Sequence, residues 1–251
     1  MGALIWPASM TRPDIMFYVA FLCTMMQRPT LAAYNAGLRV LGYLVMTKNI
    51  GINFGGKLKI PLGFDAFPFG FHTSNGLISY SDTSWGKTPK PMAGYVVFYC
   101  NGPIDWSARV LKVIADSTCE AETAIASRAT KAVIFIRSLL EHMRLQVFGA
   151  TVIAVDNSAL IKVVTKEGLT SRTRYFERST LLIKEAWMKG IVEPVLVSTV
   201  DEVADIFTKA LDADTFNRLK NYLLNLPPLR NIREMGLTVI QKMKSIFEMY
   251  K

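Results

Sequence analysis

The chain has 251 residues, 51% of them hydrophobic, enough for a sizeable core and unlike a disordered composition. Its formal net charge of +9 exceeds anything folding needs and points to a polyanionic partner, with nucleic acid ahead of a membrane surface. Three cysteines, two histidines and no CxxC spacing argue against a disulfide framework or a zinc site, so a metal here would be held by oxygen.

The apolar start, Met1 to Pro7, lacks a basic leader and does not read as a signal peptide; Trp6 breaks a myristoylation pattern. No apolar run is long enough to span a bilayer. The expectation is an intracellular, soluble protein of cytoplasm or nucleus.

Residues 1 to about 55 read as helical. One helix is expected from Asp14 to Met26, stopped by Arg28-Pro29. A second is expected over 31–46, with Ala33, Leu38, Leu41 and Leu44 near one core-facing side. Residues 56–76 are punctuated by glycine, proline and phenylalanine and form the expected boundary connector.

From Leu77 the pattern becomes alternating α/β. Strands are expected over 77–81, 94–99 and 103–107, the last two joined by a turn at Asn101-Gly102. Ser117-Thr118-Cys119-Glu120 has the form of a capping box opening a long helix. Its expected core stripe is Ala121, Ile125, Ala132, Ile136, Leu139 and Met143. The β-branched run 151–155 suits a buried parallel strand, and Asp156-Asn157-Ser158 starts the next helix. A helix is expected over 175–189, then a strand over 191–197. Pro194 lacks a ladder donor, which places that strand at a sheet edge. Helices over 201–209 and 215–224 follow, then an amphipathic tail over 231–251.

Two of these strands end in aspartate, Asp82 and Asp156. Ligands of α/β sheets sit at the carboxyl ends of strands. Neighbouring strands of this kind would set two carboxylates side by side, and a hard dication would relieve their repulsion. Glu122 falls in the first turn of its helix, where the dipole favours negative charge. Asp205 lies in the late helix. Singly, each reads more readily as a helix cap or a solvated acid; their joint order points to a site.

Tyr80-Ser81-Asp82-Thr83-Ser84-Trp85, Gly102-Pro103-Ile104-Asp105-Trp106-Ser107, Ser117 to Glu122, Val155-Asp156-Asn157-Ser158 and Ala204-Asp205-Ile206-Phe207-Thr208-Lys209 follow one another in an order that resembles the ribonuclease H domain of Ty1/copia-type retrotransposon polyproteins. Ser171-Arg172-Thr173-Arg174 resembles that family's basic loop. Thr11 to Ile15 and Arg39 to Leu44 resemble the end of the preceding reverse transcriptase region. The resemblance covers roughly residues 3–220.

It implies an α/β RNase H-like fold, a five-stranded mixed sheet flanked by helices, over 73–213. A small helical appendage precedes it over 1–72, and a helical tail follows over 214–251. It implies hydrolysis of the RNA strand of an RNA–DNA hybrid with two Mg2+ ions, Mn2+ being a substitute. Asp82, Glu122, Asp156 and Asp205 would be both the catalytic acids and the metal ligands. Of the two neighbouring glutamates, Glu122 matches the family position and Glu120 ranks second. Arg109, Lys112, Asn157, Ser158, Arg172 and Arg174 are the candidate contacts to nucleic acid.

Ser84 replaces a second aspartate of the family pattern, Thr123 a tyrosine and Tyr175 a histidine, and the segment from Trp85 to Tyr95 is short. The paired-aspartate polymerase motif is absent. A start in the middle of the family's polyprotein is expected of a fragment, a decayed copy or a host-recruited piece, with other polyprotein parts as partners. Two further readings follow: a catalytically silent scaffold that binds nucleic acid or a protein, and a relative acting on DNA junctions.

Overall fold

The computed structural model describes residues 1–55, 76–84, 91–111, 115, 117–145, 147, 149–165 and 177–226. Lys112, Arg172, Arg174, the 56–75 connector and the 231–251 tail lie outside these residues.

Five strands form one mixed sheet: β1 (Ile78–Thr83), β2 (Met92–Tyr99), β3 (Gly102–Val110), β4 (Thr151–Val155) and β5 (Val192–Leu196), in the order β3-β2-β1-β4-β5. β1–β2 and β2–β3 are antiparallel, while β1–β4 and β4–β5 are parallel. This is the RNase H-like arrangement that the resemblance implies. The strand carrying Pro194 is an edge strand, as a missing backbone donor requires.

The pleat sends alternate side chains to opposite faces. Ile78, Tyr80, Val96 and Val152 face one way, against Ile206, Phe207, Leu219 and Leu223. Leu77, Val97, Ile153 and Val155 face the other way. There they meet helices α4 (Thr118–His142), α5 (Ser158–Thr165) and α6 (Glu177–Met188). Three N-terminal helices, α1 (Gly2–Met10), α2 (Met16–Cys23) and α3 (Leu31–Met46), carry a small core of their own around Ala8, Ile15, Val19 and Leu22. They join the sheet through Phe17, which packs in its core, and through Trp106, whose indole Nε1 donates to the Ala8 carbonyl at 2.8 Å.

Several local expectations change. The hairpin turn sits one residue early: Cys100 and Asn101 have positive φ, and Tyr99 pairs with Gly102. Gly102 is instead the first residue of β3, where Phe54 packs so close that a Cβ would meet its ring at 2.6 Å. On α3, Leu38 and Leu41 are exposed, and Val40 is the buried residue. On α4, Leu139 and Met143 are exposed; the buried stripe runs through Ala129, Val133, Ile136 and Leu140, at helical spacing. The helix expected over 201–209 is a shorter 3₁₀ turn, Val203–Phe207, and the last described helix is α7 (Ala213–Leu223), capped by Asp212.

Gly94 lets the 3₁₀ turn lie flat on the sheet. It faces Asp82 across β1–β2. A Cβ there would collide with the Cβ of Phe207 and sit 3.1 Å from the Ser107 carbonyl oxygen. Gly94→Ala is expected to cost about 1–3 kcal/mol through overpacking. Urea denaturation reads this directly, and an unchanged midpoint would contradict so tight a seat.

Candidate functional site

β1 and β4 are adjacent and parallel, with Tyr80 opposite Ala154. Asp82 lies two residues past Tyr80 and Asp156 two past Ala154, so both acids come from the same end of these neighbouring strands. Asp82 does not end its strand as expected: it lies within β1, paired with Gly94 and 1% exposed. Asp156 follows the last residue of β4.

The capping box delivers Glu122. Ser117 Oγ accepts from the Glu120 backbone N–H at 3.2 Å and starts α4; Glu120 is the acid of the first turn, and Glu122 lies just beyond it rather than in it as expected. Its Oε2 is buried without a hydrogen-bond partner. Burial first, then the charges of Asp156 and Asp82, push its acid up to about 8; the Asn157 amide opposes that rise.

Asp205 comes from the 3₁₀ turn. Glu202 precedes it as a fully buried cap, Oε1 accepting from the Ala204 N–H at 2.9 Å. Thr208 Oγ1 donates to Asp82 Oδ2. Lys209 Nζ lies 3.2 Å from that same oxygen and also bonds Asp205 Oδ1. Asp82 is pushed up to about 7, chiefly by burial; Lys209 and Thr208 oppose the rise, and Asp205 and Asp156 add to it.

Asp82 and Asp205 thus meet at Lys209, and Glu122 feels the charges of Asp156 and Asp82. Among the described residues, no three of His, Cys, Asp and Glu are drawn close enough to hold a metal ion. The donor chemistry still fits a hard dication. The acids offer oxygen donors, two of them are raised by burial and then by neighbouring carboxylates, and Glu122 Oε2 has no partner.

Of the expected nucleic-acid contacts, Asn157 caps α5, its Oδ1 accepting from the Ala159 N–H at 2.8 Å, and Ser158 stands exposed at that helix start. Arg109 is exposed on β3, its guanidinium donating to Ser107 Oγ at 3.0 and 2.7 Å. Its register partner Ala93 pairs in turn with Thr83, so Arg109 lies two strands from the acids, roughly 10 Å away.

Three participants were not foreseen. Glu202 adds a fifth carboxyl, driven well above its usual range by burial and then by Asp82. Lys209 supplies the compensating cation. Arg128 on α4 has its pKa lowered by burial and by the charge of Arg109, so positive charge is concentrated near β3. Only Lys209 had a signal in the chain: its spacing of four from Asp205.

Raised acids fix a pH dependence. Asp82 and Glu122 start from 3.8 and 4.5 and rise to about 7 and about 8, so the folded state holds their protons more tightly than the unfolded state. Both states are protonated below about pH 4, where these groups have no effect. Between there and about pH 8 the unfolded state ionises first, and stability falls as pH rises. In chelator, the melting temperature should drop more steeply from pH 5 to 8.5 for the wild type than for Glu122→Gln. Equal slopes in calorimetry would contradict this.

The chain is 29% identical over 225 residues to the retrovirus-related Pol polyprotein from transposon RE2 of Arabidopsis thaliana, covering 87% of this chain and 14% of that protein. It is 28% identical, with the same coverage, to the corresponding polyprotein from transposon RE1 of the same plant. Among solved structures, LC11-RNase H1 in complex with an RNA/DNA hybrid is 14% identical with a TM-score of 0.40, covering 53% of this chain and 93% of that one. No protein-family model matches. The chain is thus similar to retrovirus-related Pol polyproteins of transposons and spans about 14% of the length of these two. No helix among the described residues is long and apolar enough to cross a membrane.

Proposed function

We propose that the chain is a retrotransposon-derived ribonuclease H that hydrolyses the RNA strand of RNA–DNA hybrids. This reading is supported by the meeting of Asp82 and Asp205 at Lys209 on a five-stranded mixed sheet, with Glu122 within reach of the charges of Asp82 and Asp156. The polyprotein homologues supply the biological setting.

In this reading the four acids are the catalytic residues and hold two Mg2+ ions, with Mn2+ able to substitute. When bound, such a pair supplies an activated water and stabilises the leaving oxygen of an in-line displacement. Asp82, central to the group, would serve both ions. Glu122 and Asp156 would complete the ligand set from the α4 side, and Asp205 would close it from the 3₁₀ turn. Asn157 caps α5, and that helix N-terminus with the exposed Ser158 would take a phosphate. Arg109, with Lys112, Arg172 and Arg174, would take further phosphates. RNA would be told from DNA by contacts to its 2′-hydroxyl.

The test is a labelled hybrid incubated with the protein in Mg2+ beside duplex DNA, duplex RNA and a DNA junction. Cutting confined to the hybrid RNA strand is expected. Preferred cutting of the junction would replace hybrid by junction as the substrate. A second reading, a silent scaffold, is favoured by the Lys209 ammonium between two of the acids. That scaffold would melt at a temperature indifferent to Mg2+, since only a ligand of the folded state stabilises it.

A further inference from the structure

Lys209 is placed with more care than a surface lysine needs. Its backbone N–H donates to the Asp205 carbonyl at 3.1 Å, closing one turn that folds the lysine back over Asp205. Its side chain, 18% exposed, then reaches the carboxylates of both Asp205 and Asp82. The Asp82 side chain is 2% exposed, and its Oδ2 is shared with the Thr208 hydroxyl. These contacts join residues 127 positions apart in the chain. They involve two of the oxygens that a dication would need.

We propose that Lys209 is the site's built-in counter-ion, competing with an incoming divalent cation for Asp82 and Asp205 and thereby setting how much Mg2+ the site requires. The inference rests on the metal reading given above. Several buried acids without a nearby cation would repel one another strongly. A lysine relieves that repulsion inside the fold, and its flexible four-carbon stem lets the ammonium withdraw to solvent when a doubly charged ion takes its place. A planar, rigid guanidinium would still be a cation there, whereas a neutral side chain would not compete. Lys209 is in this sense a positioning residue, acting through the carboxylates it holds.

Isothermal titration of the full chain with MgCl2, at fixed pH and ionic strength, tests this on wild type, Lys209→Met and Lys209→Arg. Lys209→Met should bind Mg2+ about tenfold more tightly, and Lys209→Arg no more tightly than wild type. Lys209→Gln repeats the test if the methionine variant does not fold. Equal or weaker binding by the neutral variants overturns the lysine's role and leaves the metal reading standing. No binding by any of the proteins overturns both. The wild type alone gives an independent readout. With 15N-labelled lysine in chelator, the Lys209 Nζ resonance should be that of a held ammonium and should change in step with Mg2+ saturation. A resonance unmoved through saturation contradicts displacement.

Discussion

Asp82→Asn should abolish hybrid cleavage while leaving the protein folded and at least as stable in chelator. The substitution keeps the shape of the side chain and an oxygen to accept from Thr208. It removes a carboxylate whose burial outweighs the help of Lys209, since the acid is raised despite that pairing. Loss of a charge that costs so much to bury is cheap for the fold. It is expensive for the chemistry. Transition-state stabilisation by bound metal is worth several kcal/mol, and about 4 kcal/mol corresponds to roughly a thousandfold in rate. The melting temperature in chelator should match or exceed that of wild type, and the rise caused by Mg2+ should vanish. An unfolded variant, or one that cuts at the wild-type rate, would show that Asp82 serves the fold rather than the reaction.

Asp14→Ala should be the most destabilising single change in the N-terminal helices, costing about 3–5 kcal/mol. Asp14 is fully buried and Arg12 nearly so. The Arg12 guanidinium meets both oxygens of Asp14, at 2.9 and 2.8 Å, and also the Thr47 carbonyl at 3.1 Å. Tyr43 Oη donates to Asp14 at 2.6 Å, tying the 3₁₀ turn before α2 to α3. Removing the carboxylate strands a buried cation and a phenol together. The double change Arg12→Met with Asp14→Leu should recover most of the loss, because a packed apolar pair needs no compensation. Urea denaturation of the four proteins of this cycle yields the coupling. A cost below about 1 kcal/mol for Asp14→Ala would put this network at the level of an exposed ion pair.

Much of the fold was legible in the chain because its strands are short-range signals. The β-branched run 151–155 is a strand with those ends, and Pro194 announced an edge. Ser117 capped its helix as its type and spacing require. That Asp82 and Asp156 leave the same end of the sheet follows from β1 and β4 being parallel neighbours. What was not legible depends on distant partners. Leu38 and Leu41 carry an apolar helical pattern, yet no described element covers them. The turn moved to Cys100-Asn101 because Phe54, from another part of the chain, packs on Gly102. Glu202 looks like any solvent-facing acid until the fold buries it as a cap among other carboxyls. Lys209 reads as a simple partner for Asp205, and only the tertiary structure brings it to Asp82.

Anomalous diffraction from crystals of the full chain grown with Mn2+ tests whether these carboxylates hold divalent ions. Strong manganese peaks are expected flanking the Asp82 carboxylate, about 4 Å apart if two ions bind, with Asp156 and Glu122 among the ligands. Crystals with manganese bound elsewhere but none at Asp82 would contradict it.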